Sequence, residues 1–151
     1  MISLATALAL KNAGLTWVPA DLDSFAIPDR QMDERVFVIS DMLVTVDVLQ
    51  GLQVVAFQGA SEWALDSLVT TEAVWMPRED QLRLALEAAL LASGRPELRM
   101  TSSLNGCRCE ITHEGQLKAF EAKDASEAYA AALLYLFGTQ SGRQPGSGGP
   151  A

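Results

Sequence analysis

Three residues that could bind a metal or act as nucleophiles lie close together: Cys107, Cys109 and His113. A structural zinc site needs four Cys or His ligands, usually as two pairs. His113 is the only histidine of the chain, so this segment offers three ligands at most. Residues two apart on a strand share a face, and we interpret the cluster as a buried strand face that ends in His113. Metal or thiol chemistry is the alternative, and we predict no metal and no cofactor.

Glu62 and Asp66 are a pair of carboxylates that could perform acid–base chemistry. They lie four residues apart and would share one face of a helix. Catalysis needs two carboxylates with different pKa values in a cleft, whereas two solvated helix charges need no function. The sequence contains no Gly-x-Ser-x-Gly motif for a nucleophile and no glycine-rich phosphate-binding loop. The sequence therefore favours a non-catalytic protein, with a small carboxylate-dependent enzyme as the alternative.

The stretch from residue 62 to residue 78 is the most unusual part of the sequence. It contains two of the three tryptophans, Trp63 and Trp75, together with the charged residues Glu62, Asp66 and Arg78. Tryptophan is favoured in cores and at interfaces. The two tryptophans could pack between a sheet and the following helix, or they could form a binding or self-association surface. These five residues are the candidate binding surface.

Composition excludes several classes of partner. The 151-residue chain carries a net charge of -8, with only 11 basic residues, which argues against binding to a nucleic-acid backbone. Its apolar runs are shorter than the roughly 20 residues that a membrane-spanning helix needs. No Lys or Arg precedes the apolar N-terminus, as a secretory signal would require. Two cysteines are too few for a disulfide scaffold, so we expect a cytoplasmic protein whose partner is a protein or a second copy.

The first half of the sequence predicts a helix followed by short strands. The helix opens at Ile2 or Ser3 and closes over residues 12–14, with Gly14 just beyond its end. Alternating apolar residues predict an antiparallel meander over residues 36–58. Short strands are also expected at residues 15–18, 25–27 and 73–76. A helical turn is expected at residues 62–69.

The second half predicts a helix, three strands and another helix. Pro77 precedes a helix with an apolar stripe that includes Leu82, Leu86 and Leu90. Strands over 98–104, 107–112 and 116–122 are joined by turns at Asn105-Gly106 and at 114–115. A capping box begins at Asp124, and the last helix is expected to close at Gly138.

These patterns predict an α+β fold, with antiparallel sheets that carry helices on one face. We expect two structural parts, residues 1–93 and residues 97–138, that either pack together as one domain or form two small subdomains. The Gly-, Pro- and Ser-rich residues 139–151 are predicted to be a disordered tail.

Several strings resemble those of a known family. Ile-Pro-Asp-Arg at 27–30, residues 36–42, Glu-Trp-Ala-Leu-Asp-Ser at 62–67 and residues 75–82 are similar to a family of small uncharacterised bacterial proteins. Its members often carry a pilus-assembly label, and the resemblance covers roughly residues 1–92. The pilus-assembly protein from which the label comes resembles a nucleotide-binding ATPase. This chain lacks the glycine-rich phosphate-binding loop that such an ATPase requires. Residues 107–138 are similar to a phage-associated α/β sandwich domain, which implies no activity.

Three functions follow as hypotheses. The first is a non-catalytic binding or protein-interaction module that self-associates, based on the tryptophan-containing stretch and the missing catalytic motifs. The second is the enzyme that uses Glu62 and Asp66. The third is a phage- or secretion-associated accessory protein, which the resemblance implies.

Overall fold

The computed structural model describes residues 1–28, 35–39, 44–57, 67–92, 94 and 97–141. Its three helices and nine strands within these ranges are α1 (Leu4–Asn12), β1 (Ser24–Ala26), β2 (Val36–Val38), β3 (Val44–Leu49), β4 (Leu52–Phe57), β5 (Ser67–Val69), β6 (Val74–Trp75), α2 (Glu79–Ala92), β7 (Leu98–Ser103), β8 (Gly106–His113), β9 (Gln116–Ala122) and α3 (Ala125–Ser141). All strand pairs are antiparallel, and the predicted α+β fold is confirmed. The chain divides into two compact units, residues 1–81 and 82–151, whereas the sequence places the break near residues 93–97.

The first unit contains two three-stranded sheets, in the orders β2-β1-β6 and β3-β4-β5. The prediction of one meander over residues 36–58 is wrong, because β2 pairs with β1 rather than with β3. Phe37 lies directly opposite Phe25 in that pairing, and their ring centroids are 5.5 Å apart. This aromatic cross-strand pair, a stabilising contact in antiparallel sheets, draws β2 into the other sheet.

Two further expectations for the first unit are wrong. Ser67–Val69 is a strand that pairs with β4, and not part of a helical turn, because the central strand of this sheet requires hydrogen-bond partners on both sides. Residues 15–18 form no strand, since the indole of Trp17 is drawn to the carboxylate of Asp23 instead. The rest of the predicted helical turn, residues 62–66, lies outside the described residues.

The core of the first unit joins both sheets. Phe25 and Ile27, in and after β1, are buried together with Ile39, Ala73 and Val55 of β4. Partly buried Trp17, Phe37 and Val46 pack against this cluster. The apolar positions of β1 and β4 therefore meet in one core, which fixes Trp17 at its margin.

The second unit contains the sheet β7-β8-β9, with α3 packed against β8 and β9. Cys109, Ile111 and His113 alternate along β8 as buried residues, and Leu133 and Leu136 of α3 are also buried. The predicted apolar stripe of α2 is confirmed as well, because Leu82, Leu86 and Leu90 are fully buried.

The ends of α3 show one correct and one wrong prediction. Asp124 accepts a hydrogen bond from the backbone N–H of Glu127 at 3.0 Å, as the predicted cap requires. The helix does not close at Gly138 but continues to Ser141, because a glycine inside a helix costs only about 1 kcal/mol. Of the predicted tail, residues 142–151 lie outside the described residues.

Candidate functional site: a tryptophan pocket

The end of α1 forms one wall of the candidate site. Ser3 caps the helix by accepting a hydrogen bond from Thr6 N–H at 3.1 Å. At the other end, Leu15 N–H donates to Leu10 O and Gly14 N–H donates to Lys11 O, the pair of bonds of a Schellman motif. This ending turns the chain sharply, and Lys11 and Leu15 both line a cavity beside Trp17 and Trp75.

Trp17 and Trp75 form the opposite wall. Their rings are nearly parallel, with an interplanar angle of 6° and centroids 6.5 Å apart. Both side chains are half-buried, and they line a cavity of about 180 Å³. We call this cavity the tryptophan pocket; its main lining residues are Lys11, Leu15, Trp17, Thr71, Ala73 and Trp75.

Lys11 links the end of α1 to the chain segment that precedes β6. Its ammonium group donates to the backbone carbonyls of Thr71, at 2.6 Å, and Ala73, at 3.0 Å. These two bonds occupy two of the three N–H donors of the lysine. The side chain is exposed, so the pocket carries a positive charge at its mouth.

A buried carboxylate fixes the position of Trp17. Asp23 is only 2% exposed, and its Oδ2 accepts hydrogen bonds from Trp17 Nε1 at 2.9 Å and from Ala20 N–H at 3.1 Å. Its Oδ1 accepts a bond of 2.6 Å from Gln81 Nε2. Because a charge-assisted bond is stronger than a neutral one, this network holds the indole of Trp17 in one orientation.

Arg78 joins the same network from the N-terminus of α2. Its guanidinium donates to Leu22 O at 3.0 Å and lies 3.6 Å from Asp23 Oδ1. The backbone N–H of Arg78 donates to Gln81 Oε1, which is half of a capping box. The arginine side chain is 43% exposed, so solvent weakens its ion pair with Asp23, and its main effect is to position this loop.

The indole nitrogen of Trp75 differs from that of Trp17. Trp75 Nε1 is buried and has no hydrogen-bond partner within the described part of the chain. A buried donor without an acceptor costs about 1–3 kcal/mol. The ring of Trp75 is therefore held in place by apolar packing and by stacking on Trp17.

The structure brings together two of the five residues of the predicted surface. Trp75 stacks on Trp17, and Trp17 shares Asp23 with Arg78. The other three predicted residues, Glu62, Trp63 and Asp66, lie outside the described residues. Trp17 and Asp23 were not among the predicted site residues, although the third tryptophan and the acidic turn that follows it are visible signals in the sequence.

Cys109 and His113 of the Cys/His cluster lie on a buried strand face, whereas Cys107 is only partly buried. Burial raises the pKa of the Cys109 thiol to about 11, with a smaller contribution from the charge of Glu110. His113 is buried and packs edge-on against the ring of Tyr135, with centroids 5.9 Å apart. The interpretation of His113 as the end of a buried strand face is confirmed, because the side chain is only 7% exposed.

The described residues contain neither a metal-binding cluster nor a helix that could span a membrane. No group of three or more His, Cys, Asp or Glu side chains there could hold a metal ion. None of the helices in the described ranges is long and apolar enough to cross a bilayer.

The comparisons with known proteins add no relative. No family model, no curated protein and no solved structure matches the chain. The resemblances noted from the sequence therefore stay expectations, and the tryptophan pocket has to be interpreted from its own geometry.

Proposed function

We propose that this protein is a non-catalytic binding module that holds an aromatic or branched apolar side chain of a protein partner in the tryptophan pocket. The observation that carries the proposal is the pair of parallel, half-buried indoles lining a cavity of about 180 Å³. A cavity of roughly 150 Å³ accommodates a benzene molecule. The tryptophan pocket is therefore large enough for one such side chain and too small for a large cofactor.

The chemistry of the pocket agrees with recognition rather than catalysis. Tryptophans dominate the binding energy of many protein interfaces because they offer a large, rigid apolar surface. Lys11, the one charged group among the described residues that line the pocket, donates to two backbone carbonyls and so has a structural role. Its positive charge at the mouth favours a partner with an acidic residue near the inserted side chain.

An NMR titration tests this proposal with N-acetylphenylalaninamide, a capped aromatic amino acid, as the probe. We expect the indole N–H signals of Trp17 and Trp75 to shift with the aromatic probe and not with N-acetylalaninamide, its matched control. Trp75→Ala should abolish the shift at Trp17, because it removes one of the two indoles that form the aromatic wall of the pocket. Unchanged indole signals at about 20 mM probe, a concentration that detects even millimolar affinity, would exclude the proposed binding.

We also propose that the module self-associates and works in the cytoplasm. The acidic charge of -8 and the two free cysteines support this location. The alternative enzyme rests on Glu62 and Asp66, which lie outside the described residues. The role as a phage- or secretion-associated accessory protein rests on the sequence resemblance. No observation of the described residues favours either alternative over the binding module.

A further inference from the structure

Strand β3 lies at one edge of the sheet β3-β4-β5. Its inner side pairs with β4 over all six residues, from Val44 opposite Phe57 to Leu49 opposite Leu52. In the part of the chain that the structure describes, no strand pairs with its outer side. An edge strand presents a row of backbone N–H and C=O groups that can template another strand.

The turn between β3 and β4 shows which residues of β3 direct their backbone groups outward. Gln50 and Gly51 both have positive φ, 53° and 80°, as a two-residue type I′ loop requires. In such a hairpin the flanking residues, Leu49 and Leu52, form a hydrogen-bonded pair. Since bonding alternates along an antiparallel strand, Val44, Val46 and Val48 present their N–H and C=O groups to the outer side.

Two hydrogen bonds agree with this alternation. Val48 N–H donates to the side-chain Oδ1 of Asp47 at 2.7 Å, and so is not used in the ladder with β4. On the far side of β4, Gln53 O accepts from Thr70 N–H at 3.3 Å, so the backbone of Gln53 faces β5. The outer edge of β3 therefore presents three carbonyl acceptors and three N–H donors, of which the N–H of Val48 is bonded to Asp47.

Within the described residues, strand β3 itself carries little of the usual protection against pairing. Proteins shield edge strands with lysines, prolines or bulges, and β3 contains one charged residue, Asp47. The edge strands of the other unit carry more protection, such as Arg99 in β7 and Lys118 in β9. Val48 is 66% exposed, so pairing at this edge would also remove apolar surface from water.

We infer that β3 pairs antiparallel with β3 of a second copy, about a two-fold axis at Val46. This register places Val46 opposite its own symmetry mate and Val44 opposite Val48. Each of the three opposed pairs exchanges two N–H···O=C bonds. The hydrogen bond from Val48 N–H to Asp47 is local, and an inter-chain bond replaces it.

The sequence of β3 favours a second copy over an unrelated peptide because the strand complements itself. Asp47 lies opposite neutral Thr45 in this register, whereas an axis at Asp47 would oppose two carboxylates, which destabilises a cross-strand pair. Val46 packs against the buried core of its unit, so the partner strand would continue an existing apolar layer. The inference specifies the interface of the self-association proposed above and rests on it, but it does not depend on the tryptophan pocket.

Val48→Pro is the sharpest test of this interface. Proline removes the outward N–H of Val48, and the inner ladder with β4 remains because Val48 does not bond to β4. Val48→Lys is a second variant that places a charge on the same edge without constraining the backbone. Leu84→Lys, at a position of α2 that is 55% exposed, is the matched control for adding a surface lysine.

Sedimentation velocity of the full chain, under reducing conditions from about 1 to about 500 μM, measures the outcome. We expect the unaltered chain and Leu84→Lys to form a dimer. Both Val48 variants should weaken the dimer roughly tenfold or more, because each loses contacts twice in a symmetric interface. Hydrogen exchange should slow at Val44 and Val46 as the protein concentration rises, and not at Asp47, whose amide already faces β4.

Different outcomes of these experiments would contradict the self-association and the proposed interface. A chain that stays monomeric throughout would overturn both the self-association and this interface. A dimer that persists in Val48→Lys, or that leaves the amide exchange of Val46 unchanged, would overturn the interface alone. Circular dichroism checks folding, and if Val48→Pro does not fold, Val48→Lys decides.

Discussion

At the scale of single residues, the two stacked tryptophans have opposite hydrogen-bonding states. Trp17 Nε1 donates to the buried carboxylate of Asp23, whereas Trp75 Nε1 has no acceptor among the described residues. The same substitution at the two positions should therefore change the free energy of unfolding by different amounts, because only the one at Trp17 removes a hydrogen bond.

We expect Trp17→Phe to lower the free energy of unfolding by about 1–2 kcal/mol more than Trp75→Phe. Both changes shrink an indole to a smaller ring, so the loss of packing largely cancels in the comparison. Trp17→Phe also removes a hydrogen bond to Asp23, whereas Trp75→Phe removes a buried donor that has no described partner. Urea unfolding followed by circular dichroism measures the difference, and equal destabilisation of both variants would contradict it.

A second residue-scale prediction concerns Cys109. Because burial raises the pKa of its thiol to about 11 from an ordinary value of 9.0, the folded state keeps the proton after the unfolded state has lost it. The buried, neutral thiol therefore contributes its full amount to the free energy of unfolding below pH 9. This contribution is lost as the pH rises from 9 towards 11. The loss amounts to about 2 kcal/mol.

Urea unfolding between pH 8 and about 11 tests this dependence. Other groups titrate in the same range, so the comparison is with Cys109→Ala, which has no proton to lose at this site. We expect the alanine variant to be less stable at pH 8 and to lose less stability as the pH rises. Parallel curves for the two proteins would show that burial of the thiol does not control its ionisation.

At the scale of elements, the hairpins of the second unit depend on two glycines in different ways. Gly106 has a φ of 138°, and a Cβ at this position would lie 2.6 Å from Ala122 O. Gly115 has a φ of 75° with open space around it. The sequence predicts a turn at Asn105-Gly106, whereas Gly106 is the first residue of β8 and pairs with Ser103.

Gly106→Ala should destabilise the protein much more than Gly115→Ala. Both variants strain a left-handed backbone, which costs roughly 1 kcal/mol, but only alanine at position 106 also collides with the backbone of β9. We expect Gly106→Ala to cost about 3 kcal/mol or more, as measured by the urea midpoint. Similar midpoints for the two variants would show that β9 moves aside without cost.

At the scale of the whole molecule, the chain contains two compact units that each have a buried core. The first core is built around Phe25 and Val55. The second includes Ile111 of β8 and Leu133 and Leu136 of α3. Helix α2 begins in the first unit and lies mostly in the second.

We expect residues 77–151 to fold when expressed alone. This fragment keeps the sheet β7-β8-β9, helix α3 and the capping bond between Arg78 N–H and Gln81 at the start of α2. Its small size predicts a modest stability of about 3–5 kcal/mol. A dispersed amide NMR spectrum with cooperative urea unfolding would agree with this expectation, and a collapsed spectrum without cooperativity would show that the second unit needs the first.

The sequence by itself determined the features that depend on near neighbours. The cap at Asp124, the end of α1 near Gly14 and the turn at 114–115 each arise from residue types a few positions apart. Turns and caps follow from the backbone conformations that these residues allow and from short-range hydrogen bonds. The alternation of apolar residues in β3 and β8 likewise predicts strands, because side-chain direction repeats every two residues.

The tertiary structure alone decided which distant elements meet. The strand residues of β2 could pair with either β1 or β3, and the contact between Phe25 and Phe37 selected β1. The candidate site also depends on contacts between distant segments. Trp17 stacks on Trp75 because β6 packs beside α1 and because Asp23 holds the indole of Trp17 in place. Local patterns cannot specify such pairings, since their free energy comes from packing between segments far apart in the chain.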